Sequence, residues 1–242
     1  MPADNQSPQL NSLYIFWTGN NPITPNRERH IQRMKEICGC EVVLVTPENL
    51  SSFILPEHPL HPAYRYLSFT HRSDYLRCYF MHFYGGGYSD IKRIDFNWQP
   101  FLRELEGDET LWAIGYPEQS PTDIALGAYR YNELTKSLDK VMGLTSFIFK
   151  PGTPLTSAWL EQTEHTLDRY CRRLKRHPAK CPQDFRYKRP RLGFSRFVSP
   201  RKGSSYPLEW SQILGDILHP LSYENSDKIR LCLPRVNTIA YR

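Results

Sequence analysis

No apolar stretch in this 242-residue chain approaches the roughly 18–20 residues that cross a bilayer as a helix. The first twelve residues are polar and lack the charged-then-apolar order of a secretory leader. Together these absences lead to the expectation of a soluble, cytoplasmic protein. The six cysteines (Cys38, Cys40, Cys78, Cys171, Cys181 and Cys232) match no zinc pattern, because Cys38-Gly39-Cys40 has no second pair at ligand distance. Reduced thiols are expected, with Cys78 a small buried hydrophobe in a helix. Asn5-Gln6-Ser7 and Asn49-Leu50-Ser51 match the glycosylation pattern, which has no meaning without secretion. There is no internal repeat and no clear domain boundary, so one domain over 1–242 is expected.

Acid is scarce in one region. Residues 169–202 hold 13 Lys or Arg against a single acid, Asp184. The net charge of +6 is therefore a local basic block on a mildly acidic body. Arg172-Arg173-Leu174-Lys175-Arg176 and Arg186-Tyr187-Lys188-Arg189-Pro190-Arg191 set charge among apolar and aromatic residues, as nucleic-acid binders do, and would also suit an anionic membrane or an acidic glycan. A solvated loop is the plainer account.

Aromatics are plentiful: 12 Phe, 15 Tyr and 5 Trp supply material for a sizeable core. Leu13 to Trp17 reads as a first strand. Thr24-Pro25 reads as an N-cap with proline at the first helical position, opening a helix to about Ile37. Glu41 to Thr46 is a continuous β-branched run and predicts a parallel strand buried on both faces. Strand, helix and strand at this spacing form a βαβ unit and set the fold class as α/β. Pro56 to Pro62 predicts a loop, and about Thr70 to Tyr84 a helix with Leu76, Tyr79, Phe80 and Phe83 inward. Tyr88 to Lys92, Thr110 to Gly115 and Ser146 to Phe149 are further strand candidates. Thr153 to about Lys175 predicts one long helix, about 177–207 a basic irregular insertion, and Leu208 to Leu218 a last short helix.

The most informative segment is Ser73-Asp74-Tyr75-Leu76-Arg77, then an apolar run, then Gly85-Gly86-Gly87-Tyr88-Ser89-Asp90-Ile91-Lys92. Asp74 and Arg77 are three apart on a helix and so share a face. The glycines let the chain turn sharply and let a ligand approach the backbone. Asp90 then falls just past a strand, at the sheet edge where α/β proteins bind ligands.

This pattern resembles the DxD-type nucleotide-sugar glycosyltransferases, a group that includes capsular-polysaccharide sugar transferases, clostridial-toxin catalytic domains and small virus-encoded transferases. Ile15-Phe16-Trp17-Thr18-Gly19, Tyr206-Pro207-Leu208-Glu209-Trp210 and Leu214-Gly215-Asp216-Ile217-Leu218-His219-Pro220 add to the likeness. One departure stands out: Lys92 occupies the place of the second Asp of the DxD. The resemblance implies a single-domain GT-A-like fold with a mixed, mostly parallel central sheet flanked by helices. It implies transfer of a hexose or deoxyhexose from a nucleotide-diphosphate sugar, UDP favoured over GDP, to a hydroxyl of a glycan acceptor.

It also implies site residues. Trp17 would stack on the base, Thr18, Gly19 and Asn20 would let it near the backbone, and Asn26 and Arg27 lie within reach. Asp74 and Arg77 would grip the sugar hydroxyls and the phosphate side, with Ser73 and Ser89 nearby. Asp90 would bind ribose or sugar and help hold a divalent metal, Mn²⁺ or Mg²⁺, on the diphosphate. Lys92 either contacts phosphate itself or stands beside a metal that Asp90 holds with help from Asp95 or His219. Glu118 is a candidate base, with Asp123 and Asp216 as others, if the reaction inverts the anomeric centre. Two other readings compete: a nucleic-acid or anionic-surface binding module using 169–202, and a transferase relative that binds a sugar nucleotide without turnover.

Overall fold

The computed structural model describes residues 10–186 and 204–236. Six strands form one sheet: β1 (Ser12–Phe16), β2 (Glu41–Val45), β3 (Gly86–Ser89), β4 (Ala113–Pro117), β5 (Met142–Phe149) and β6 (Ile229–Leu231), in the order β2-β1-β3-β5-β4-β6. β5 runs antiparallel to both its neighbours, and every other pairing is parallel. The helices are α1 (Pro25–Ile37), α2 (Phe69–Phe83), α3 (Gln99–Gly107), the single turn α4 (Tyr131–Leu134), α5 (Pro154–Arg176) and α6 (Gly215–Glu224). This is the mixed, mostly parallel α/β architecture expected.

Side-chain alternation along β1 explains the layering. Leu13 and Ile15 pack with Ile31 and Met34 of α1 and Leu102 and Leu105 of α3 on one face. Tyr14 and Phe16 pack with α2, α5 and α6 on the other, where Phe80 meets Phe16 at a ring distance of 5.1 Å. The three longest helices begin where capping chemistry dictates. Thr24 with Pro25, Ser68, and Thr153 with Pro154 each place a side-chain oxygen on a backbone N–H of the first turn.

Several expectations change. β2 is an edge strand: Glu41 is exposed, Val42 to Leu44 are half-buried and only Val45 is fully buried, because nothing pairs beyond it among the described residues. The helix expected over Leu208 to Leu218 starts later, as α6, and continues through Pro220 to Glu224, so His219 lies within a helix. The strand expected at Thr110 to Gly115 is shifted to Ala113–Pro117. Within the insertion expected at 177–207, residues 177–186 and 204–207 carry no helix or strand, and 187–203 lie outside the described residues.

The triple glycine serves the fold at the end of β3 opposite to Asp90. Gly85 and Gly86 turn the chain out of α2 with φ of +66° and +83°. A Cβ on Gly86 would lie 2.7 Å from the carbonyl oxygen of Ser12, and one on Gly87 2.9 Å from the Trp98 ring. The close approach that these glycines permit is thus to the protein's own β1 and Trp98, where a ligand had been expected.

Candidate functional site

The chain leaves β1 for β2 on one side and later returns to β3 on the other, with α1 and α2 on opposite faces. Between β1 and β3 the strand order therefore reverses, and a crevice opens outside their carboxyl ends. A cavity of about 320 Å³ lies there. From β1 come Phe16, Trp17, Thr18 and Gly19; from α2, Phe69, Thr70, Ser73 and Arg77; from β3 and beyond, Tyr88, Asp90 and Ile91. Asn21, Arg27 of α1, Pro182, Gln183 and Trp210 complete the wall.

Local bonding holds the rim. Trp17 Nε1 donates to the carbonyl of Asn21 at 2.8 Å, and Thr18 Oγ1 donates to the carbonyl of Phe69 at 2.6 Å. Arg27 Nη1 donates to the carbonyl of Ile91 at 2.7 Å, tying α1 to the loop after β3. Trp210 is 47% exposed, and its segment is hooked to α2 through His71. His71 Nδ1 lies 3.0 Å from the Tyr206 hydroxyl and Nε2 3.0 Å from the carbonyl of Glu209, with the two rings stacked. Burial lowers the His71 pKa to about 4, so the imidazole is neutral at physiological pH.

The centre of the site is a buried charge cluster. Asp90 Oδ1 accepts from Arg77 Nη2 at 3.0 Å and from the Tyr88 hydroxyl at 2.7 Å, and Oδ2 pairs with Lys92 Nζ at 2.9 Å. Burial alone would raise the Asp90 pKa, but Arg77, Lys92 and Tyr88 outweigh it and hold the carboxyl below its ordinary value. Arg77 lies 4.4 Å over the Tyr88 ring, within 3.4 Å of Asp74 Oδ1, and donates to the carbonyl of Leu144 at 3.3 Å. Burial pushes the Tyr88 hydroxyl well above its ordinary value and keeps it a donor. It also pushes Asp74 up to about 7, against the pull of Arg77.

The sequence-predicted residues therefore divide. Trp17, Thr18, Gly19, Arg27, Ser73, Arg77 and Asp90 border one cavity. Asp74 stands behind Arg77, Lys92 behind Asp90, and Ser89 is fully buried, donating to the carbonyl of Asp90. Asn20 and Asn26 are not part of that wall. Glu118 and His219 form a separate buried pair, with His219 Nε2 at 3.3 Å from Glu118 Oε1 but not aligned for a hydrogen bond, and Nδ1 accepting from Ala125 N. Asp95 is paired with Arg33 and Arg93 on the surface. Asp216 accepts from Ser211 Oγ. Asp123, 3.6 Å from Arg235 Nη2, lines a second cavity of about 460 Å³ that shares Trp210 with the first. Phe185 packs edge-on to Trp210 on that second side.

Tyr88, Phe69 and Trp210 were not expected in the site. Tyr88 sits inside the motif and Trp210 inside a segment quoted for the resemblance, so position in a motif was their only signal. The fit of a divalent metal at Asp90 is poor. Both its oxygens are engaged by cations or a hydroxyl proton, and among the described residues no three His, Cys, Asp or Glu gather as a metal site.

No family model matches the chain, and no curated protein does. Among solved structures the chain is similar to "PaToxG Glycosyltransferase", with a TM-score of 0.42 and 13% identity over 69% of this chain. The match spans 65% of that structure, less than two thirds of its length. A likeness this low identifies neither a family nor an activity.

Proposed function

We propose that the chain is a glycosyltransferase that moves a hexose or deoxyhexose from a nucleoside-diphosphate sugar, UDP favoured, to a glycan hydroxyl. The observation that carries this reading is the cavity at the strand-order reversal. It joins the flat aromatic face of Trp17, the buried strand end at Thr18-Gly19, where Phe69 and Asn21 fill the space beside the glycine, and a partly buried arginine–carboxylate pair in one crevice. These are the three surfaces that a base, a ribose and a diphosphate require.

In this reading Trp17 stacks on the base, Asp90 accepts from ribose or sugar hydroxyls, and Arg27 and Arg77 face the phosphates. The bond between the anomeric carbon and the β-phosphate oxygen breaks with its electron pair on the phosphate. The arginines stabilise the charge that develops there. The acceptor oxygen forms the new bond to the anomeric carbon and gives its proton to Asp123. The second cavity, beyond Trp210, receives the acceptor and brings Asp123 near its hydroxyl.

The test is calorimetric titration with UDP and GDP, then an assay of UDP or GDP release from their sugars with mixed glycan acceptors. Trp17→Ala is expected to weaken nucleotide binding about ten- to a hundredfold, and Trp17→Phe to retain most of it. Absence of binding to either nucleotide would overturn the reading.

A further inference from the structure

We propose that the chain binds the diphosphate with its own cations, without a divalent metal ion; the inference rests on the transferase reading. A two-carboxylate site is negative and draws in a metal, which then meets the phosphates. Here the second carboxylate is absent and Lys92 brings the opposite charge to that position. Its ammonium sits 2.9 Å from Asp90 Oδ2, where a metal would coordinate. A divalent cation on Asp90 would stand within a few ångströms of both Lys92 and Arg77, and its charge would be repelled by each.

The balance of charge points the same way. Arg27 and Arg77 border the cavity and Lys92 lies directly behind Asp90. Among the described residues two carboxylates, Asp90 and Asp74, stand against these three cations. Among the described residues the crevice is thus net positive before any ligand enters, and a diphosphate meets that positive field, with the Arg77 amino groups themselves engaged by Asp74, Leu144 and Asp90.

Arg77 is fixed by Asp74, Asp90 and the Tyr88 ring, so its positive charge is held in place in advance. Lys92 does not border the cavity. It is a positioning residue that cancels the charge of Asp90 and occupies the metal's place.

The experiment is titration of UDP and GDP into the purified chain in EDTA and in excess Mn²⁺, for the wild type, Arg27→Gln and Lys92→Asp. Wild-type affinity is expected to agree within about twofold between the two conditions, and Arg27→Gln to lose about tenfold in both. Lys92→Asp is expected to lose binding in EDTA and recover it in Mn²⁺, a switch that simple damage to the fold would not produce. Thermal melts confirm that each variant is folded; should Lys92→Asp fail to fold, the wild-type comparison and Arg27→Gln decide. Wild-type binding that requires Mn²⁺ overturns this inference and leaves the transferase reading standing. Failure of the wild type to bind either nucleotide in both conditions overturns the transferase reading itself.

Discussion

At the scale of single residues, Asp90 joins two roles that its place in the motif does not separate. It borders the cavity, and it is the shared counter-ion of Arg77 and Lys92. Removing it takes from Arg77 and Lys92, both buried, the carboxylate that they share, and Asp74 at 3.4 Å is the weaker counter-charge left beside Arg77. Asp90→Ala is therefore expected to lower stability by roughly 3–5 kcal/mol, measured by urea denaturation, as well as to abolish binding. Loss of activity in that variant alone would not identify a catalytic residue. The sequence made Asp90 and Arg77 legible because both carry charge inside a spaced pattern. It hid their dependence on Lys92 and Tyr88, since a pattern records order along the chain and says nothing of which atoms meet. His219 was misjudged for a related reason. A histidine before proline reads as loop, yet Pro220 sits inside α6 and His219 is fully buried against Glu118.

At the scale of elements, the motif splits into a structural half and a binding half at opposite ends of β3. Gly86→Ala forces a side chain into a left-handed conformation and against the Ser12 carbonyl. It is expected to cost roughly 2 kcal/mol or more of stability while leaving the nucleotide affinity of the folded fraction unchanged; chemical denaturation and titration on the same sample check both.

α2 carries two groups with opposed pH behaviour. His71 has its pKa lowered to about 4, so between pH 4 and 6.5 the unfolded chain binds the proton that the folded one refuses, and stability rises with pH. Asp74 is raised to about 7, so between about pH 4 and 7 the folded chain holds a proton that the unfolded one releases, and stability falls as pH rises. Relative to the wild type, His71→Gln is expected to tilt the Tm profile downward with rising pH over this window, and Asp74→Asn to tilt it upward. Thermal melts from pH 4 to 7 check the two signs.

The long helices were the most legible elements: α1 announces itself with the Thr24-Pro25 cap and α2 with its apolar side, while the Ser68 and Thr153 caps of α2 and α5 emerge only in the structure. α3 and β6 were not seen: β6 has three residues with Arg230 at its centre, too short for a pattern. β2 was seen but placed too deep, because a β-branched run cannot tell an edge strand from a central one.

At the scale of the whole molecule, the βαβ opening made the fold class readable, while the reversal of strand order that creates the crevice depends on which side β3 joins. That choice is made by contacts distant in sequence, such as Leu13 beside Gly87. The basic block is likewise distributed in space: its first part lies in the last turns of α5, and Arg186 reaches the second cavity. The remainder falls in 187–203, outside the described residues.

Trp210 stands between the two cavities, half in solvent, while Trp98 and Trp159 are sealed in the core. A ligand entering either cavity dries one face of this indole. The protein is therefore expected to signal its own occupancy optically, by a shift in tryptophan emission; in Trp210→Phe the response to glycan disappears, while the response to nucleotide, shared with Trp17, is reduced. Nucleotide and glycan added in turn are expected to produce two successive steps, so the order of binding becomes readable from light alone.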